Sequence, residues 1–347
     1  MLWLSPWMRP LARVYVEALG RRGVHALLVT SDQHPESGDA RDYEIVLDPR
    51  LRAASTWSPT LDAYRRIRRW RADVVVTELV RDPRWIALAG SAPRVNVVHD
   101  DRVHDVAERR PRYESTVFDR WADGAAATVT FSDFVAAAVQ NRRDLRGGDV
   151  YTVPLTSDLD SRLVPPFAAA ADRRDFAAIG RLNPYKNLDV TLQAWAAHVQ
   201  GSGWRGDRML ILGDGYGLRR ALPKHTVWRA GTYRYSDVVE TLAAAKGCVA
   251  HYRRASQSGV QVLAMQLGVT PIVSTVGALA EFQPPGCPPI GVDDVEGLVG
   301  AFDQLADPVI AVRHGVTAAV HYAAHHAADR AAEKLITVFD DVRRAAS

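Results

Sequence analysis

Short apolar runs rich in β-branched residues alternate with segments of helical period along the whole chain. This alternation, more than anything else, restricts its 347 residues to parallel βαβ units. In the first half the spacing predicts strands over Leu2 to Leu4, Ala26 to Thr30, Glu44 to Leu47, Asp73 to Thr77, Val95 to Val98, Ala127 to Thr130 and Val150 to Val153. Helices are expected between them over Pro10 to Leu19, Leu61 to Trp70 and Ser132 to Arg142, with Ser132 as an N-cap. The stretch PLTSDLDSRLVPPFAAAADRR then breaks the pattern with prolines and small residues and reads as an interdomain linker. A second alternation follows, with strands over Phe176 to Ile179, Met209 to Leu212, Thr226 to Trp228, Gly247 to His251 and Pro271 to Ser274, and an Ala-rich helical stretch from about Asp293. The expected architecture is α/β, with two doubly wound Rossmann-like domains over 1–163 and 164–325 facing each other across a cleft. Ligands of such sheets bind beyond the carboxyl ends of the strands.

Composition narrows the function classes. Before Val164 there are 24 basic and 23 acidic residues, and from it onward 19 and 17, so neither half is a basic arm and nucleic acid is not an expected partner. No run reaches the ~18 apolar residues of a membrane span. MLWLSPWMRP lacks the pattern of a secretory leader, and Cys248 and Cys287 are the only cysteines, so a cytoplasmic protein without disulfides is expected. The run YRRIRRWR places Tyr64, Ile67 and Trp70 on one helical face and Arg65, Arg66, Arg68, Arg69 and Arg71 elsewhere. That pattern fits a solvated surface helix, or one drawn to an anionic membrane carrying a lipid-linked acceptor.

Three loops of the second half carry candidate chemistry. AAIGRLNPYKN leaves a strand through Gly180 and can converge Arg181 and Lys186 on a diphosphate. MLILGDGYG runs a strand into Gly213, Asp214 and Gly215, where glycines permit a tight turn and a close backbone approach; the spacing is not that of a dinucleotide fingerprint. In HYRRASQSGVQVLAMQLG the polar run Ser256, Gln257, Ser258 and Gly259 opens an apolar helix, which turns unpaired N–H groups and a helix dipole toward the ligand edge.

Taken in order, GRLNPYKNLDVTLQAW, LILGDGYG, WRAGTYRYSDVVETLAAAKGCV and SQSGVQVLAMQLGVTPIVSTVGALAE resemble the donor-binding domain of glycosyltransferase family four, which has the GT-B architecture. The resemblance covers about residues 175 to 285 and implies a nucleotide-sugar donor, a sugar, lipid-linked or small-molecule acceptor, retention of configuration, and no cofactor or bound metal. It implies that Arg181 and Lys186 hold the donor pyrophosphate with the N–H groups of Ser258, Gly259 and Val260. Arg229 and Thr232 would lie beside the base, and Glu281 would match the family's Glu after its Gly-containing turn. The helix over 326–347 would cross back to the first domain. Most members carry two glutamates seven residues apart; here Ala255 and Leu263 occupy those places, and the chain resembles a subset with a Gln-Ser-Gly-Val loop. Gln257 or Ser258 would then supply part of the missing polar contact.

In the first half RVNVVHDDRVHD sets His99, Asp100, Asp101, His104 and Asp105 at and beyond a strand end. The residue types allow metal ligation, proton transfer or hydrogen bonding to a sugar; the resemblance favours His99 beside the transferred sugar, with Asp100 and His104 toward the acceptor. Trp7 and Met8, after the first strand, are either an acceptor platform or core. With no carboxylate placed as a nucleophile, front-face attack assisted by the leaving phosphate is expected. A nucleotide-sugar epimerase and a non-catalytic nucleotide-binding protein are the rival classes.

Overall fold

A computed structural model describes residues 1–48, 50, 54–101, 112–142, 148–215 and 221–346. The chain divides into two compact units, the first holding the described residues through Asp158 and again from Ala328, the second Leu159–Ala327.

The first unit runs β1 (Leu2–Ser5), α1 (Arg9–Arg21), β2 (Leu27–Thr30), β3 (Glu44–Val46), α2 (Trp57–Trp70), β4 (Val75–Glu78), α3 (Pro83–Ala89), β5 (Arg94–Val98), α4 (Arg112–Asp123), β6 (Ala127–Thr130), α5 (Asp133–Gln140) and β7 (Asp149–Thr152). Its sheet is wholly parallel in the order β3-β2-β1-β4-β5-β6-β7. The strand order reverses at β1 and β4, and this is the point where loops diverge to leave a ligand crevice. Both faces of the sheet are covered, which is why the strands read as continuous apolar runs with little polar alternation. Ser132 caps α5 by accepting from the Val135 N–H at 3.2 Å. A buried ion cluster ties α1 to the sheet: Arg9 Nη2 donates to Glu44 Oε2 at 2.7 Å and Arg13 Nε to Glu44 Oε1 at 2.6 Å. Arg13 also donates to the Ser37 and Asp39 carbonyls, which pins the connection between β2 and β3.

The second unit runs β8 (Phe176–Ile179), α6 (Leu188–Gln200), β9 (Met209–Leu212), β10 (Thr226–Arg229), α7 (Tyr235–Ala243), β11 (Gly247–Ala250), α8 (Gly259–Gln266), β12 (Thr270–Val273), α9 (Val295–Leu305) and α10 (Pro308–His325). Its parallel sheet has the order β10-β9-β8-β11-β12, so its switch point lies between β8 and β11. The last helix, α11 (Ala328–Ala346), belongs to the first unit and packs on α1 through the stripe Ala331, Leu335, Val338, Phe339 and Val342. Arg21–Asp329 at 2.8 Å and Arg22–Glu333 at 2.6 Å flank that contact.

Two expectations shift. The junction falls at Asp158–Leu159 and not after 163. Thr156 N–H already donates to Tyr15 Oη in the first unit, while Leu159 is packed with Ala177, Leu263 and Leu267 in the second. In α2 the buried residues are Ala63 and Ile67; Trp70 is exposed and donates its indole N–H to the Met1 carbonyl. Among the described residues no helix is long and apolar enough to cross a membrane.

Candidate functional site

In the second unit the switch point gathers a candidate anion site. Gly180 leaves β8 at φ +105°, a conformation that favours glycine, and a Cβ there would stand 3.3 Å from Lys186 Nζ and 4.0 Å from Val260 Cγ2. The Lys186 ammonium is therefore laid across the strand end, beside the start of α8. It is buried, donates to Tyr252 Oη at 2.6 Å and lies 4.1 Å from the Tyr252 ring centroid; among the described residues no carboxylate forms an ion pair with it. Burial lowers its pKa from the ordinary lysine value, opposed in part by Tyr185 and Cys248 and aided by Arg181. Ser258 Oγ donates to the same Tyr252 oxygen at 3.3 Å and, as N-cap of α8, accepts from the Gln261 N–H. Gly259 and Val260 are the first residues of the helix, so their N–H groups have no intrahelical acceptor, and no atom stands within 4 Å of where a Gly259 Cβ would be. A buried cation, a hydroxyl pair and a bare helix N-terminus thus converge, which is chemistry suited to a multiply charged oxyanion.

The neighbouring loops lock onto this point. Gly213, at φ +141°, brings its backbone so near β8 that a Cβ would stand 2.1 Å from the Gly180 carbonyl oxygen. Leu182 N–H donates to the Asp214 carbonyl at 2.8 Å, and the Asp214 side chain accepts from the Gly215 N–H. Arg229 is exposed at the end of β10, its carbonyl accepting from Gly213 N–H at 3.1 Å, and Thr232 is exposed in the next loop. Arg181 is exposed on the loop after Gly180. The turn at Gly277 sits against the Ala255 carbonyl, with Ala278 N–H donating to Ser256 O at 3.0 Å, and it carries Glu281 exposed to solvent. The Gln257 side-chain oxygen is buried with no hydrogen-bond partner among the described residues.

Ala255 and Leu263, where a glutamate pair was weighed, are 7% and 2% exposed, and Leu263 packs with Ala177, Leu242 and Leu267. Leu263→Glu is expected to lower stability by roughly 3–5 kcal/mol, as an uncompensated buried charge does, read from the denaturant midpoint. An unchanged midpoint would show that a carboxylate at this place reaches a polar partner.

In the first unit the register assembles a second cluster. Trp3 pairs with Val76, Glu78 with Val97, and Val97 with Val129. With a side-chain period of two, Trp3, Glu78, His99 and Phe131 must share one face at the carboxyl edge. Glu78, wholly buried, accepts from Trp3 Nε1 at 3.1 Å through Oε2 and meets His99 Nε2 at 2.6 Å through Oε1. Tyr15 stacks between Trp3 and Phe131, with centroids 5.7 and 5.6 Å away, and Phe131 meets the His99 ring edge-on at 5.0 Å. Burial alone would lower the His99 pKa; the Glu78 hydrogen bond and charge, with Asp100, raise it above the ordinary histidine value.

Asp100 is exposed; His104 lies outside the described residues. Trp7 is 44% exposed and therefore not core, and Met8 is the N-cap of α1. Among the described residues no three His, Cys, Asp or Glu side chains converge as a metal site. Sequence reasoning missed Tyr252 and Glu78. Glu78 left a signal, a carboxylate at the end of the apolar run DVVVTEL, whereas Tyr252 gave none beyond its place after a strand.

Residues 173–308 match the family described as Glycosyl transferases group 1. The second unit thus carries a glycosyltransferase group 1 domain, and the two doubly wound parallel sheets are the GT-B fold of the solved structures similar to the chain. Among solved structures, sucrose-phosphate synthase from Thermosynechococcus elongatus is similar over 100% of this chain and 99% of its own, with TM-score 0.71 and 16% identity. The trehalose-6-phosphate protein from E. coli bound with UDP-2-fluoro glucose is similar over 99% of each chain, with TM-score 0.65 and 10% identity. WaaG, a glycosyltransferase involved in lipopolysaccharide biosynthesis, is similar over 98% of this chain and 99% of its own, with TM-score 0.61 and 13% identity. No curated protein matches the chain in sequence.

Proposed function

We propose that the protein moves a sugar from a nucleotide-sugar donor to a hydroxyl of a glycan, lipid-linked or small-molecule acceptor, with retention of configuration, as a family-four enzyme of the Gln-Ser-Gly-Val type. The observation that carries the donor half is the buried Lys186 ammonium, which has no carboxylate partner among the described residues and is set at the start of α8. Such a charge is satisfied only when an anion arrives, and a diphosphate supplies it. Arg181 and the N–H groups of Gly259 and Val260 complete the cradle, Ser258 adds a hydroxyl, and Arg229, Thr232 and Glu281 serve the nucleoside and sugar. The bond from the anomeric carbon to the phosphate oxygen breaks with its electron pair on the diphosphate. The acceptor oxygen bonds to the same face of that carbon, and its proton passes to the leaving phosphate. Rate then comes from stabilising the departing charge and from positioning. His99 contacts the transferred sugar in this reading. The exposed arginines of α2, with Trp57 and Leu61 beside them, suit an anionic membrane bearing a lipid-linked acceptor.

A thermal-shift panel of nucleoside diphosphates and nucleotide sugars identifies the donor, since a ligand at 100 times its Kd adds about 2.7 kcal/mol. With that donor and an acceptor library, nucleoside diphosphate is expected only when acceptor is present. His99→Ala is expected to lower turnover at least tenfold while leaving nucleotide affinity within about twofold. Acceptor-independent conversion of the sugar identifies an epimerase; tight binding without turnover identifies a binding protein; activity lost to a chelator and restored by metal returns His99 to the metal reading.

A further inference from the structure

The buried carboxylate of Glu78 takes no part in the reading above, yet both its oxygens are committed, one to the Trp3 indole and one to His99. A carboxylate removed from water in this way requires a hydrogen-bonded cation or its own proton. The 2.6 Å contact is the length of a charge-assisted bond, and among the described residues the charged groups facing the ring are Glu78 on β4 and Asp100 on its own loop. The remaining neighbours, Phe131 after β6, with Tyr15 on α1 and Trp3 on β1 behind it, are neutral rings that restrict the imidazole's rotation. The chain even turns through a left-handed Leu79, φ +51°, directly after Glu78. For a bulky side chain that conformation is disfavoured and persists only where its surroundings fix it.

We propose that Glu78 is the positioning residue for His99. It takes up the ring's Nε2–H, holds the imidazole as a cation, and leaves Nδ1–H as the donor offered to a ligand oxygen. His99 then acts as a hydrogen-bond donor and not as a base, and the acceptor's proton has to leave by the donor phosphate. The inference rests on the placement of His99 beside the transferred sugar, and it deepens that placement by fixing what the ring can give. The raised pKa of His99 agrees with it, because burial without Glu78 would have the opposite sign. With Glu78 ionised, only histidine with both nitrogens protonated satisfies the carboxylate and donates at Nδ1 simultaneously.

The test is the nitrogen chemical shifts of the His99 ring in the full chain, assigned with His99→Gln and followed from pH 5 to 9. In the native protein both nitrogens should remain protonated above the ordinary midpoint of about 6.5. In Glu78→Gln the midpoint should fall by at least one pH unit, while the affinity for UDP, a probe of the second unit, stays within twofold. Glu78→Asp should restore part of the shift. With the donor found by the panel, Glu78→Gln should lower kcat at least tenfold with KM nearly unchanged, and its rate should decline at lower pH than the native rate does. A native midpoint at or below 6.5, or one that Glu78→Gln does not move, overturns the proposal; the first of these needs no Glu78 variant that folds. Absence of transfer with every donor overturns the transferase reading, while the titration still decides the pairing.

Discussion

Lys186→Met is expected to weaken UDP binding by 30-fold or more without lowering the melting temperature of the free protein. The two halves of that result have one cause. In the free protein the ammonium is buried, among the described residues a phenol oxygen alone accepts from it, and its pKa is lowered because burial penalises the charged form. Replacing it with an apolar side chain of similar length removes a desolvated charge, which is neutral or stabilising. On binding, the same charge meets a diphosphate in a water-poor site, where truncating one partner of such a pair costs about 2–5 kcal/mol. Calorimetry with UDP and scanning of the free protein read the two effects separately. Because the folded state sheds this proton below the unfolded value of 10.5, the unfolded chain binds more protons in the window between the lowered pKa and 10.5. Native stability therefore rises with pH across that window, and the Met variant lacks this increment. Unaltered UDP affinity would remove Lys186 from the site; a melting temperature lowered by several degrees would mean that the charge already has an anionic partner.

Glu44→Gln should be the most damaging single change in the first unit. Burial alone would raise the Glu44 pKa, but hydrogen bonds from Arg13, Arg9 and the Arg41 backbone, with the Arg13 charge, hold it down at about 2. The carboxamide cannot compensate two buried guanidiniums, and leaving them unpaired costs about 3–5 kcal/mol. The pH dependence has a definite sign. The folded pKa lies below the ordinary glutamate value of 4.5, so this contribution is complete above about pH 4.5 and is lost as pH falls toward 2. Denaturant titration at pH 7 and pH 3 measures both. A loss under 1 kcal/mol at pH 7, or equal acid sensitivity in the variant and the native protein, would contradict this account of the cluster.

The strand runs were legible because a parallel sheet covered on both faces demands unbroken β-branched segments, as in Asp73 to Thr77 and Met209 to Leu212. Loop chemistry was legible for the same local reason: Gly180, Gly213 and the Ser258 cap announce turns and a helix start in consecutive residues. The pairing of Lys186 with Tyr252 was not legible, because the two residues are 66 apart and meet only where β8 and β11 become neighbours in the sheet. Glu78 and His99 are likewise brought together by the register of β4 with β5, and the aromatic rings that hold them come from three further elements. Sequence by itself determined the alternation, the two sheets, the glycine turns and helix start at the ligand edge, and the family resemblance, all of which depend on neighbours within a few residues. Only the tertiary structure decided which ammonium is buried with no carboxylate beside it among the described residues and which carboxylate meets the histidine, since burial and pairing are properties of strands that adjoin in space and not in sequence.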